Sequence, residues 1–110
     1  MSTKNELARG SVEMIILRLL QDKPMYGYEM IKVVNERTNG YFEWKEGSLY
    51  PCLHRLEGDG LIVSSSVEYN GKIRKYYSLS LKGKRAAEEQ IEEGRKFCHA
   101  VTLLLSPCEA

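Results

Sequence analysis

Val12, Ile15, Ile16, Leu19 and Leu20 recur at i, i+3, i+4, i+7 and i+8, a spacing that lines one face of an α-helix. That pattern predicts a first helix from about Ser11 to Gln21, with Ser11 as N-cap and Glu13 suited to the positive helix end. Asp22-Lys23-Pro24 should end it, because the residue before a proline is pushed out of the helical region. A second helix is expected from about Tyr26 to Arg37, with Tyr28, Ile31 and Val34 or Asn35 near one face and Asn39-Gly40 as its stop. After Tyr41-Phe42-Glu43-Trp44-Lys45-Glu46, a third helix is expected to begin at Gly47-Ser48, capped by Ser48. Pro51 would then sit in the first turn, where its missing N–H has no partner to lose. Leu49, Leu53 and Leu56 form its inner stripe, and Gly58-Asp59-Gly60 closes it.

The period then changes. Leu61 to Tyr69, Asn70-Gly71, and Lys72 to Ser80 read as a β-hairpin, since both residues of the tight turn need positive φ. Val63, Ser65, Val67, Tyr69 and Ile73, Lys75, Tyr77, Leu79 alternate only partly in polarity, so one face of the hairpin is expected to be wet. Ser80 should cap a last helix of about Leu81 to Leu105, ended by Ser106-Pro107. Along it Ala87, Ile91, Gly94, Cys98, Val101 and Leu105 recur at steps of four and three, a heptad-like seam. At 1.5 Å per residue this helix is roughly 37 Å long, more than a small domain can cover. Dimerisation through the seam is therefore expected, and Gly94 would allow two helices to approach closely.

The 110 residues suffice for one compact domain, with 43% hydrophobic and 28% charged residues, as in ordinary globular proteins. No apolar run approaches the roughly 20 residues of a membrane span, and Met1-Ser2-Thr3-Lys4-Asn5-Glu6 has no signal pattern. A cytoplasmic location is expected. Cys52, Cys98 and Cys108 are widely spaced and odd in number, which argues against a disulfide framework or a zinc site. Cofactors and metals are not expected. Net charge is only +1, but Lys72, Arg74, Lys75, Lys82, Lys84 and Arg85 cluster ahead of Glu88, Glu89, Glu92 and Glu93. Such a local basic patch can attract a polyanion despite a neutral total. The acidic run reads as a solvated helix face with basic neighbours on both sides.

Three helices followed by a two-stranded hairpin is the plan of a winged helix-turn-helix, in which the third helix enters the major groove and the hairpin lies along the backbone. The fold class expected is mainly α with a small β-hairpin (α+β). Residues 1–80 are expected to form the DNA-binding domain, and residues 81–110 the dimerisation helix and tail. Ser48, Tyr50, His54, Arg55 and Glu57 surround the free surface of the third helix and can reach phosphates or base edges. Arg55 suits equally well a structural pairing with a nearby carboxylate. Lys72, Arg74 and Lys75 at the wing suit phosphate contact, although exposed cationic hairpins also serve as solvated edges. The chain lacks a phosphate loop, a metal-ligand cluster and a nucleophile–base pair, and His54 and His99 stand isolated. An enzyme is not expected.

Tyr26-Gly27-Tyr28-Glu29, Gly47-Ser48-Leu49-Tyr50-Pro51-Cys52-Leu53-His54-Arg55-Leu56-Glu57, Gly60-Leu61-Ile62, Arg74-Lys75-Tyr76-Tyr77-Ser78-Leu79 and Gly83 together closely resemble the PadR family of transcription regulators, from about Leu7 to Leu105. The resemblance implies a winged-helix homodimer, usually a repressor, whose last helix packs against the partner's N-terminal region. It implies DNA contact for Tyr26, Ser48, Tyr50 and His54, with Arg74, Lys75 and Tyr76 serving the wing. Gly27, Gly47, Leu49, Leu53, Leu56 and Tyr77 would be structural, and Tyr50 and Tyr76 suit a core role as well. Cys52 stands where family members commonly carry a small apolar residue; it fits as a buried small hydrophobe, with a redox switch as the alternative. Multidrug-sensing relatives hold flat ligands between aromatic rings, whereas here the only tryptophan, Trp44, precedes the third helix.

The expected function is a homodimeric repressor on an inverted-repeat operator in double-stranded DNA, released by a small-molecule or stress signal. A ligand cleft beside Phe97 and Val101 would receive such an effector. The alternative is a winged-helix protein-interaction module without DNA binding.

Overall fold

The structure, a computed structural model, describes residues 10–108. The N-terminal stretch Met1 to Glu6 and the beginning of the PadR resemblance at Leu7 lie outside the described residues. The elements are α1 (Val12–Asp22), β1 (Met25–Tyr26), α2 (Gly27–Arg37), α3 (Glu46–Gly58), β2 (Ile62–Tyr69), β3 (Lys72–Leu79) and α4 (Leu81–Leu105). The fold is α+β: among the described residues, four helices with a three-stranded antiparallel sheet of order β1-β3-β2. The sequence led us to expect only the hairpin. β1 adds the third strand, pairing Met25 with Tyr77 and Tyr26 with Tyr76, and two residues are too few to show a period.

The core gathers Ile16, Leu17, Met30, Leu49, Leu53, Leu56 and Ile62, all fully buried. They come from α1, α2, α3 and β2, so one apolar cluster holds the three helices against the sheet. In α2 the inward face is Gly27, Met30 and Val34. Tyr28, expected inside, is 60% exposed. The loop to α3 is bolted down by Asn35, which accepts from the Trp44 backbone N–H at 2.8 Å and donates to its carbonyl at 3.3 Å. Trp44 is thereby buried in the core.

Helix entry differs from expectation at two places. Ser11 occupies the N-cap position of α1 in a helical backbone conformation, without a side-chain cap hydrogen bond. In α3 the N-cap is Lys45, and the helix starts at Glu46, so Ser48 lies inside it and is not the cap. Pro51 consequently sits past the first turn, where its ring removes the N–H that would reach the carbonyl four residues back. Ser80 does cap α4: its Oγ accepts from the Gly83 N–H at 3.0 Å and donates to the Gly60 carbonyl at 2.6 Å. The hairpin turn is as read, with Asn70 at φ 50° and Gly71 at φ 76°.

The seam of α4 divides between two uses. Ala87 and Ile91 are buried in the chain's own core, so they are not available to a second copy as expected. Gly94 also serves the chain itself, because a Cβ there would collide with the Met14 Sδ of α1. Gln90 of α4 donates to Glu13 of α1 at 2.8 Å along the same contact. The last turns of the helix extend past the rest of the chain, giving an elongated molecule of 63 × 29 × 23 Å. Phe97, Leu103, Leu104 and Leu105 are all more than 60% exposed.

The two helical glycines give opposite expectations for alanine. At Gly83 a Cβ would collide with the Leu61 backbone carbonyl, which cannot move without breaking the α4 cap. Gly83→Ala should cost about 1–3 kcal/mol in urea denaturation despite alanine's better helix propensity. At Gly94 the obstacle is the end of a flexible methionine, and the gain of about 1 kcal/mol in propensity offsets its displacement. Gly94→Ala should be close to neutral.

Candidate nucleic-acid interface

Buried Leu49, Cys52, Leu53 and Leu56 hold α3 against the core, leaving Ser48, Pro51, His54 and Arg55 exposed along the opposite face. Tyr50 stands at the edge of that face, 42% exposed. Its hydroxyl end lies against the first residue of α2, and any side chain at Gly27 would strike it. Partial burial, with Glu46 and Tyr77 nearby, raises the Tyr50 pKa. Tyr50 therefore spaces α3 from α2 while keeping part of its ring in solvent. Arg55 has the structural partner considered for it, Glu13 of α1 at 3.7 Å, and donates to Cys52 Sγ at 3.4 Å. Cys52 itself is buried, and burial pushes its thiol pKa up, so it has the character of a small hydrophobe rather than a reactive thiolate.

The wing is sorted by the register of β3. Ser64 pairs with Tyr77, Ser66 with Lys75, Ser65 with Tyr76 and Val67 with Arg74, and side chains directly opposite share a face. Tyr77 is buried, so Lys75, two residues away, also points to the inner side. There its Nζ stands 3.6 Å from Glu57 Oε1 and 5.5 Å from the Tyr77 ring centre. Glu57 also accepts from the Ser64 hydroxyl at 2.5 Å. That hydrogen bond holds the Glu57 carboxyl below the usual carboxylate range, against some desolvation and with help from Lys75. Lys75 and Arg74, alike as wing cations in the sequence, point to opposite faces.

On the outer face lie Tyr26, Tyr69, Tyr76, Lys72 and Arg74. The Tyr26 and Tyr76 rings meet edge-on at 5.4 Å, and the Arg74 guanidinium lies over Tyr26 at 4.6 Å and over Tyr69 at 4.4 Å. Among the described residues no carboxylate pairs with Lys72 or Arg74. The β2 set expected to alternate, Val63, Val67 and Tyr69, is the exposed one, because the register turns it outward while Ile62 and Ser64 face α3.

A groove of about 510 Å³ opens between α1, α2 and α4, lined by Met14, Leu19, Val33, Phe42, Gly94 and Cys98 among others. Neither Phe97 nor Val101, the residues singled out for a ligand cleft, lines it. Among the described residues there is no cluster able to hold a metal ion, and no helix long and apolar enough to cross a membrane.

Residues 16–89 match the model of the transcriptional regulator PadR-like family. The chain belongs to that family. A relative from Mycobacterium tuberculosis, the transcriptional regulator Rv3488, is 34% identical over 84 residues, covering 76% of each chain. An uncharacterised protein of Lysinibacillus sphaericus is 34% identical over 96% of this chain and 98% of its own. Among solved structures, a transcriptional regulator from Clostridium thermocellum superposes with a TM-score of 0.82 at 30% identity, covering 96% of this chain and 99% of its own. A PadR family transcription regulator from Clostridium difficile gives 0.76 at 35% identity, covering 87% and 99%. This PadR-like chain is thus a transcriptional regulator and not an enzyme.

Sequence reasoning missed Glu57 and Ser64 as the clasp between α3 and the wing, and Tyr69 as a neighbour of Arg74. Both depend on strand register, which local pattern does not carry.

Because the Glu57 pKa is lowered in the folded state, the clasp stabilises the protein above the ordinary carboxylate value near 4.3 and is lost as pH falls through the folded value. Glu57→Gln should therefore be less stable than wild type at pH 7. The difference should shrink in urea denaturation as the pH is taken from about 6 to about 3.

Proposed function

We propose that the protein binds duplex DNA as a homodimer and represses transcription from an inverted-repeat operator. The observation that carries this is the exposed Ser48, Pro51, His54 and Arg55 face of α3, opposite a fully packed stripe and beside a wing whose Lys72 and Arg74 pair with no carboxylate among the described residues. A helix anchored on one side and bare on the other is what the major groove admits. Ser48, Tyr50 and His54 meet base edges or phosphates there. Tyr26 at the N-terminus of α2 and the wing residues Lys72, Arg74 and Tyr76 take the backbone. Lys75 contributes through its hold on Glu57.

The dimer forms through the outer half of α4, where Cys98, Val101 and Leu105 continue the seam past the chain's own core and Phe97 and Leu104 flank it. With Phe97, Leu104 and Leu105 exposed along it, such a row needs a cover, and a second copy supplies one by two-fold symmetry. Two copies of α3 then face half-sites about one helical turn, roughly 34 Å, apart. Residues 1–80 carry the DNA contacts, and residues 81–110 set their separation. The protein works in the cytoplasm, without a cofactor, and a small apolar effector or a stress signal releases it by changing how the two copies of α4 meet. Repression rather than activation follows the family resemblance.

Titration of a labelled duplex across salt concentrations tests the reading. Each phosphate contact contributes about 0.9 to the slope of log K against log salt, so Lys72→Ala with Arg74→Ala should flatten it by about two and weaken all sequences alike. A wild-type protein indifferent to every duplex at low salt would leave the protein-interaction module as the surviving alternative. Leu104→Asp with Val101→Asp should turn a dimer into a folded monomer in sedimentation equilibrium, with thermal stability of the domain little changed.

A further inference from the structure

We propose that Tyr69, together with Tyr26, is a positioning residue that holds the Arg74 guanidinium ready as the phosphate-binding group of the wing. The proposal rests on the duplex-binding reading and adds to it the means by which the wing grips. Arg74 stands on β3, the middle strand of the sheet. Tyr26 lies diagonally across on β1, since its register partner is Tyr76, and Tyr69 lies diagonally across on β2, since its partner is Lys72. The guanidinium carbon is over both rings, at 4.6 and 4.4 Å. Tyr26 is itself braced by the edge-on ring of Tyr76 and by its place as the N-cap residue of α2. The cation is thus caught between the two outer strands.

Rings over a guanidinium hold its faces and leave its N–H donors at the rim. Among the described residues Arg74 spends none of them on a hydrogen bond, and no carboxylate neutralises it. A free arginine loses much rotamer freedom when it grips a phosphate; here the rings have already ordered it. Lys75 shows the contrast one residue along, turned inward and tied to Glu57. Tyr69 is 52% exposed and fills no core, so its ring is there for the cation rather than for packing.

The test uses full-length protein and a 30-base-pair mixed-sequence duplex at low salt, because a phosphate contact does not depend on sequence. An exposed cation–π contact amounts to about two- to fivefold in affinity. Tyr69→Leu should weaken binding by that factor with an unchanged melting temperature, whereas Tyr69→Phe should bind within about twofold of wild type. Arg74→Lys, which keeps the charge but not the flat stack, should resemble Tyr69→Leu. In the free protein the Arg74 δ-proton resonances should lie upfield through ring currents and move back in Tyr69→Leu but not in Tyr69→Phe. Binding by Tyr69→Leu equal to wild type, or by Tyr69→Phe as weak as Tyr69→Leu, would overturn the proposal. Should wild type bind no duplex at all, the duplex-binding reading falls and the phosphate role with it. The ring-current shifts then decide separately whether the tyrosines hold the arginine.

Discussion

β3 is the middle strand of the sheet, with a neighbour on each side, and its register decides what every residue of the wing can touch. Side chains on a strand alternate with a period of two, so a slip of one position would exchange the faces wholesale. In the register found, Tyr77 enters the core and Lys75 reaches Glu57, while Arg74 and Tyr76 turn to the tyrosine cluster outside. The positive-φ turn at Asn70-Gly71 sets the pairing of β2 with β3, and Met25-Tyr26 confirms it from the other edge. Two contacts of different kinds follow from one alignment: an ion pair that docks the wing on α3, and an aromatic cluster that ties it to the start of α2. The basic wing is therefore held at both sides of its base, and only its tip projects.

A second junction joins the helix that faces outward to the helix that extends away. Glu13 of α1 accepts from Gln90 of α4 at 2.8 Å and stands 3.7 Å from Arg55 of α3. One carboxylate thus touches both, and Gly94 lets α4 lie close enough to α1 for the contact to form. At the base of α4 the Ser80 hydroxyl grips the Gly60 carbonyl, while Lys82 donates to the Asp59 carbonyl at 2.9 Å. These contacts fasten the first half of α4 to the domain. Any change in how two copies of α4 cross would therefore be felt at α3, which is the mechanical requirement of the effector release proposed above.

The helices were legible because their apolar spacing runs over several turns and their stops are strong: Pro24, Asn39-Gly40, Gly58-Asp59-Gly60 and Ser106-Pro107 each end one. Entry points were less legible. Ser48 looks like a cap by residue type, but the chain was already helical from Glu46. The face of α2 was misjudged at Tyr28 because Gly27, with no side chain, marks the inward side and gives no apolar signal. The seam on α4 was real as a pattern, yet periodicity does not say what a stripe packs on. Ala87 and Ile91 go to the chain's own core, while further along the same stripe Cys98 and Leu105 are exposed and Val101 is half-buried. The pairing of Arg74 with Tyr69 lies further still from local pattern, because it is a diagonal contact that exists only once the register is set.

The net charge of +1 is the strongest compositional objection to a nucleic-acid partner, and the structure answers it by showing where charges are spent. Lys75 is held by Glu57, Arg18 by Asp22, Lys23 by Glu29, and Lys96 by Glu92 and Glu93. These pairs cancel locally and contribute little field a Debye length away. Lys72 and Arg74 are among the cations without such a partner and share one face of the wing, with Arg74 raised over tyrosine rings rather than set against a carboxylate. A polyanion responds to the uncompensated charge it approaches, not to the sum over the molecule. A domain of this kind would bind duplexes with few phosphate contacts per subunit and would depend on a second copy to double them. For that reason dimerisation through α4 and backbone contact through the wing stand or fall together in the proposed mechanism.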